Sequence, residues 1–156
     1  MYRKVDDFLM DWKQSSDGTF HVFDNLTDDS LQVSIVEGHN SLGWLAWHLV
    51  GAASLFPTLA GLSIHGVSED EEQPKSAHTI AKTYKKIAEE VSHEAEKLTD
   101  ASLLEQVDSM FGPIERGKLL RILIDHQTHH RGQMTVLLRQ AGLPVPPVMG
   151  PTKEMQ

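Results

Sequence analysis

Asp125-His126-Gln127-Thr128-His129-His130-Arg131-Gly132-Gln133 stands in the middle of a long stretch, about Arg116 to Ala141, that reads as one helix. Leu119, Leu123, His126, His130 and Leu137 fall on one seam at spacings that follow the helical period. Gly142 is a good residue to follow the last turn, and Pro144, Pro146 and Pro147 forbid continuation. His126 and His130 are four positions apart. On a helix their side chains therefore lie about 40° apart on one face and about 6 Å apart along the axis. Two imidazoles at that spacing can reach one metal ion.

Upstream, the same period recurs three more times, and strand signals are weak. The first helix begins near Tyr2, with Val5, Phe8, Leu9 and Trp12 on one face. Phe20, Phe23 and Leu26 extend the pattern, interrupted by Gly18, which costs a helix roughly 1 kcal/mol relative to alanine. The second starts after Asn40 or Ser41, either of which can cap it, and runs to about Thr58. Leu45, His48, Ala52 and Leu55 share its stripe. Gly61, Gly66 and the acidic cluster Glu69-Asp70-Glu71-Glu72 make a solvated loop ending near Pro74. The third helix spans about Ser76 to Leu98, with Ile80, Tyr84, Ile87, Val91 and Leu98 on its apolar face. Thr99-Asp100 opens the next connection, and Phe111-Gly112-Pro113 marks a turn within it. Four amphipathic helices with mostly polar connections predict an all-α four-helix bundle, one domain over residues 1–156.

Composition narrows the function. A net charge of −8 and the lack of any Lys/Arg block argue against a nucleic-acid partner, which needs a basic surface. With no cysteine, the chain has no disulfide, no zinc ribbon and no thiol nucleophile of its own, so any thiol must come from outside. The stretch from Leu42 to Leu62 is long enough to span a membrane. It contains His48, Pro57 and several Gly and Ser and lacks flanking basic anchors, so it reads as a core helix and not a membrane contact. Met1 to Asp7 is too polar for a signal peptide, and a cytoplasmic location is expected.

A lone histidine on an apolar stripe, such as His48, is ordinarily a hydrogen-bonded core residue. The His126/His130 pair carries more. Two unpaired imidazoles are costly on an apolar seam, and a metal ion satisfies both. His48 then offers a third nitrogen, and three neutral ligands leave coordination positions open, as in a reactive site. Imidazole ligands suit Zn or Ni first, with Fe or Cu also compatible. His129 competes with His130, but its phase points it to the flank. Asp125 and Gln133 are candidates to hold a ring N–H, although solvated helix positions commonly carry such residues. His21, His39, His65, His78 and His93 lack comparable partners, and Trp44 and Trp47 read as core or interface. No phosphate loop, nucleophile elbow or His-Glu-x-x-His motif is present.

Asn40-Ser41-Leu42-Gly43-Trp44-Leu45-Ala46-Trp47-His48-Leu49, the Asp125 to Gln133 segment and the closing Leu138-Arg139-Gln140-Ala141-Gly142-Leu143-Pro144 together resemble the DinB-like superfamily over nearly the whole chain. The resemblance implies a four-helix bundle that holds a divalent ion on one histidine of the second helix and a His-x3-His pair of the fourth, here His48, His126 and His130. It also implies a homodimer. Characterised branches include transferases that use low-molecular-weight thiols such as bacillithiol or mycothiol, and a thiol-dependent maleylpyruvate isomerase. The expected partner is thus a small-molecule substrate together with a low-molecular-weight thiol. Two alternatives stand beside a thiol S-transferase: a metal-dependent hydrolase using metal-bound water, and a non-catalytic module that the metal stabilises. No catalytic residue beyond the three histidines can be assigned from the sequence.

Overall fold

The computed structural model describes residues 1–68, 70–110 and 112–155. Glu69 of the acidic cluster and Phe111 of the expected turn lie outside the described residues, as does Gln156.

Four helices form: α1 (Val5–Asp24), α2 (Leu42–Leu59), α3 (Ala77–Ala95) and α4 (Arg116–Gln140). Their principal contacts run α1–α3, α3–α2, α2–α4 and α4–α1, closing a ring around one core. Consecutive helices α1 and α2 therefore sit across a diagonal. Phe8, Trp12, Val22 and Phe23 of α1, Leu42, Leu45 and Leu49 of α2, Ile80, Tyr84 and Ile87 of α3, and Leu119, Leu120 and Leu123 of α4 fill the interior. The Trp12 indole N–H donates to the Ala88 carbonyl at 3.0 Å, tying α1 to α3 through a buried bond.

The helix ends have local causes. Ser41, the second of the two candidate caps, accepts from the Trp44 amide at 3.2 Å. Ser76 accepts from the Thr79 amide at 3.3 Å. Each satisfies a donor that the first turn would otherwise leave orphaned. Gly142, at φ +69°, closes α4 in the left-handed conformation expected of it, with the Leu143 amide bonded back to Leu138.

Several boundaries differ from the sequence reading. The first helix begins at Val5, three residues later than Tyr2, and the third stops at Ala95, leaving Leu98 in the following turn. Gly18 does not break α1. A Cβ at Gly18 would lie 2.8 Å from the Val148 Cγ1, so glycine lets the segment after α4 lie directly on the helix. That contact offsets the helix cost. A two-stranded antiparallel ladder, β1 (Gln106–Val107) and β2 (Ile114–Glu115), precedes α4. Two residues per strand are too few to show alternation. Leu42–Leu59 has a mean hydropathy of 1.2 and is long enough to cross a membrane, but 61% of it is buried inside the bundle, as a core helix requires.

Candidate metal centre

The helices α2 and α4 meet along a face that brings His48, His126 and His130 together. Their candidate ligand atoms all lie within 4.8 Å of one another. The Nε2 atoms of His48 and His126 are 3.1 Å apart. The ring centroids of His126 and His130 are 4.5 Å apart, and those of His48 and His130 are 4.7 Å apart. All three rings are half-buried. The α-helical rise stacks His126 over His130 as the spacing requires, and α2 supplies the third ring from the side.

The electrostatics favour neutral rings. Burial, followed by the neighbouring His130, His48 and His129, pushes the His126 imidazole down to about 4. Burial and His130 also lower His48. Desolvation penalises the protonated form, so lone pairs are available near neutral pH. Two Nε2 atoms tetrahedrally bound to one ion at about 2.0–2.1 Å would be about 3.3 Å apart, close to the observed His48–His126 approach. His126 Nδ1 is buried without a hydrogen-bond partner among the described residues. Nε2 faces the second imidazole, and a metal there would take its lone pair and leave the ring proton on Nδ1. The donor set fits a divalent ion.

Neighbours orient the rings. His130 Nδ1 lies 2.8 Å from Gln133 Oε1. With the proton on Nδ1 donating to that oxygen, Nε2 is left with its lone pair. Trp44 stacks on His48 at 4.8 Å and 12°, and Phe56 lies 5.3 Å from His126. Trp47 packs against the core as the sequence reading allowed, and Trp44, exposed, lines with it a cleft that opens beside His48 and His126. His129 is exposed on the flank, as its phase suggested. Asp125 does not reach the imidazoles; it pairs with Arg121 at 2.5 Å on the surface. His21, His39, His65, His78 and His93 are all exposed, and His65 has a partner in Glu90.

Two residues inside the histidine segment do more than the sequence suggested. Gln127 is completely buried. Its Oε1 accepts from Thr19 Oγ1 at 3.1 Å and from the Tyr84 hydroxyl at 3.0 Å, and its Nε2 donates to the Leu49 carbonyl at 3.3 Å. The amide next to His126 is therefore tied to the backbone next to His48. Arg131, also buried, donates from Nη1 to the Ser15 carbonyl and to the Ser15 and Thr19 hydroxyls. The signal that finds them is a polar residue in phase with Leu120, Met134 and Leu138 on the buried stripe of α4.

The whole chain has relatives. The Bacillus subtilis (strain 168) protein YrdA, described as uncharacterized, is 39% identical over 155 residues, covering 99% of this chain and 93% of its own. The crystal structure of a DinB-like protein from Bacillus cereus ATCC 10987 matches at a TM-score of 0.88 and 41% identity, covering 94% of this chain and 98% of that one. A DinB-like protein from Bacillus subtilis, YjoA, shares the fold at a TM-score of 0.74 and 19% identity, over 93% of this chain and 99% of that one. The model of the DinB family matches residues 1–156, and the four-helix fold with its imidazole group on α2 and α4 agrees with it: the chain belongs to the DinB family.

Proposed function

We propose that this protein is a divalent-metal-dependent S-transferase that joins an external low-molecular-weight thiol to a small electrophile. The observation that carries the reading is the triad itself: three half-buried imidazoles at the end of a cleft with no Lys, Arg, Asp or Glu on its walls among the described residues. His48, His126 and His130 would hold the ion, Zn or Ni by ligand chemistry. A divalent ion with only neutral ligands supplies a strong Lewis acid that favours a thiolate over a thiol near neutral pH.

The chain's own residues do the rest. Gln133 sets the His130 tautomer, and Trp44 packs flat on the His48 ring. The Gln127 amide keeps α2 and α4 in register beside the ligands. With no cysteine in the chain, the sulfur must be brought in. In the transfer, the thiolate sulfur forms a bond to the electrophilic carbon, the leaving group departs with the electron pair of the broken bond, and the thiol proton goes to solvent. Among the described residues the cleft walls offer no carboxylate to act as a general base for water, which favours transfer over hydrolysis.

Cobalt(II)- or nickel(II)-substituted protein tests this directly. Adding a panel of cellular thiols should raise a sulfur-to-metal charge-transfer band that His130→Ala lacks, and turnover of an electrophile should require both thiol and metal. If no thiol produces the band, or turnover is equal without thiol, the transfer reading fails.

A further inference from the structure

The cleft beside the triad has about 870 Å³ of space, within the range of small-molecule sites. Its walls come from α2 (Trp44, Trp47, Gly51, Leu55), the connection after α2 (Ile64, Val67) and Ile122 of α4. Ser54, Thr58, Ser68 and Gln73 also line it; the hydroxyl protons of Ser54 and Thr58 are committed to the Val50 and Ser54 carbonyls. No Lys, Arg, Asp or Glu contributes to the lining among the described residues. Away from the imidazole end, a charged ligand group placed against these apolar walls would lose its hydration without a counter-charge.

The far wall is pinned and the floor is open. A Cβ at Gly66 would lie 2.2 Å from Ser54 Oγ, so the loop backbone rests directly on α2. The Trp47 indole N–H donates to the Glu71 carbonyl at 3.0 Å, and His65 Nδ1 meets Glu90 Oε1 at 2.5 Å. These contacts tie Gly66 and Glu71 to α2 and His65 to α3 without a ligand, so binding there needs little further ordering. Gly51 lies on α2 one turn beyond His48, and a Cβ there would meet nothing within 4 Å. A glycine inside a helix costs roughly 1 kcal/mol against alanine, and here no neighbour in the chain uses the room it leaves.

We propose that this cleft binds an uncharged, predominantly apolar small molecule, with Gly51 as the floor that admits it and Trp47, Leu55, Ile64 and Val67 as its walls. Naming that molecule as the electrophile of the transfer rests on the function proposed above; the binding itself does not.

The test uses the full-length, zinc-loaded protein and two probes that share one frame. N-phenyl-1-naphthylamine is uncharged, and 8-anilinonaphthalene-1-sulfonate carries a sulfonate. Each is titrated with its own emission and tryptophan emission as readouts. The uncharged probe should saturate at one per chain and bind at least about tenfold more tightly than the sulfonate. Gly51→Phe should weaken it by about tenfold or more with zinc occupancy and melting temperature retained, and Gly51→Ala should not. Leu55→Trp, one turn further along the same face, is a second plug should Gly51→Phe not fold. Absent saturation, equal binding to both plugged variants, or a sulfonate that binds as well overturns the proposal. So does a change in sedimentation showing that the plug displaces a second copy of the chain instead. Neither titration contains thiol, so a missing charge-transfer band removes the transfer reading and leaves this result standing, and the converse holds.

Discussion

Replacing Gln127 by leucine should damage the molecule well beyond the loss of one amide. The side chain is fully buried and makes three hydrogen bonds that reach α1, α2 and α3. Thr19 keeps a bond to the Ser15 carbonyl, and the Leu49 carbonyl belongs to a helix. The Tyr84 hydroxyl is different: it donates to Gln127 at 3.0 Å from a wholly buried ring, and the Thr19 hydroxyl beside it is already bonded to Ser15 and Arg131. A buried hydroxyl left unpaired costs about 1–3 kcal/mol, and each of the other two bonds contributes about 1 kcal/mol net. The expected loss is thus about 3–5 kcal/mol. For a chain of 156 residues that is a fall of roughly 6–20 °C in melting temperature. Urea unfolding of metal-free protein should show the midpoint shift with an unchanged slope. Adding Tyr84→Phe removes the orphaned hydroxyl, so the double variant should be more stable than the two single losses added together by about 1–2 kcal/mol. Metal affinity should also fall, because the amide links the backbone beside His48 to the residue after His126. A Gln127→Leu protein within about 0.5 kcal/mol of the parent, or strictly additive losses, would refute the argument.

Alanine at His48, His126 or His130 should lower metal occupancy sharply by elemental analysis, while His78→Ala and His93→Ala, both on the exposed face of α3, should leave it intact. Chelator should lower the melting temperature of the parent and metal should restore it, since an ion bound only by the folded state stabilises by linkage; an unchanged melting temperature speaks against metal-linked folding. The acid limb follows from His126. Its folded pKa, about 4, lies below the ordinary 6.5, so the unfolded chain takes up the proton first as pH falls. The stability tied to that neutral ring is present above about 6.5 and is lost as pH falls through about 4. Metal-free His126→Ala should therefore lose less melting temperature than the parent across that interval, and parallel curves would contradict the assignment.

Much of the fold was legible because amphipathic spacing is a repeated signal. Ile80, Tyr84, Ile87 and Val91 read as one face of α3 and are all buried. The ligand pair was legible because four helical residues nearly complete a turn, whatever the neighbours. Its depth was not. Grouping His126 and His130 with Leu119 and Leu123 placed the imidazoles on the seam, but the deepest polar positions of α4 are Gln127 and Arg131, with the imidazoles at the rim. Adjacent positions differ by 100°, and a hydrophobicity pattern cannot choose between them once polar residues occupy the core face. The cleft was hidden for a related reason. Asp70, Glu71 and Glu72 are exposed as their charge suggests, yet Ile64 and Val67 in the same connection form a wall. Burial there depends on Gly66 lying against Ser54, a pairing no local pattern encodes.

The ring order of the helices carries a kinetic consequence. Of the four principal packings, only α2 against α3 joins neighbours in sequence; α1–α3, α2–α4 and α1–α4 skip at least one helix. A simple up-and-down bundle closes most of its interfaces through short connections. Here the chain must close long loops before those three interfaces form, and that entropy is spent before the contacts offset it. The α2–α3 hairpin is accordingly the natural nucleus, with α1 and α4 docking later. Folding should be slower than for an up-and-down bundle of equal length. Substitutions at the α2–α3 interface should slow folding, while those where α1 meets α4 should act mainly on the unfolding rate.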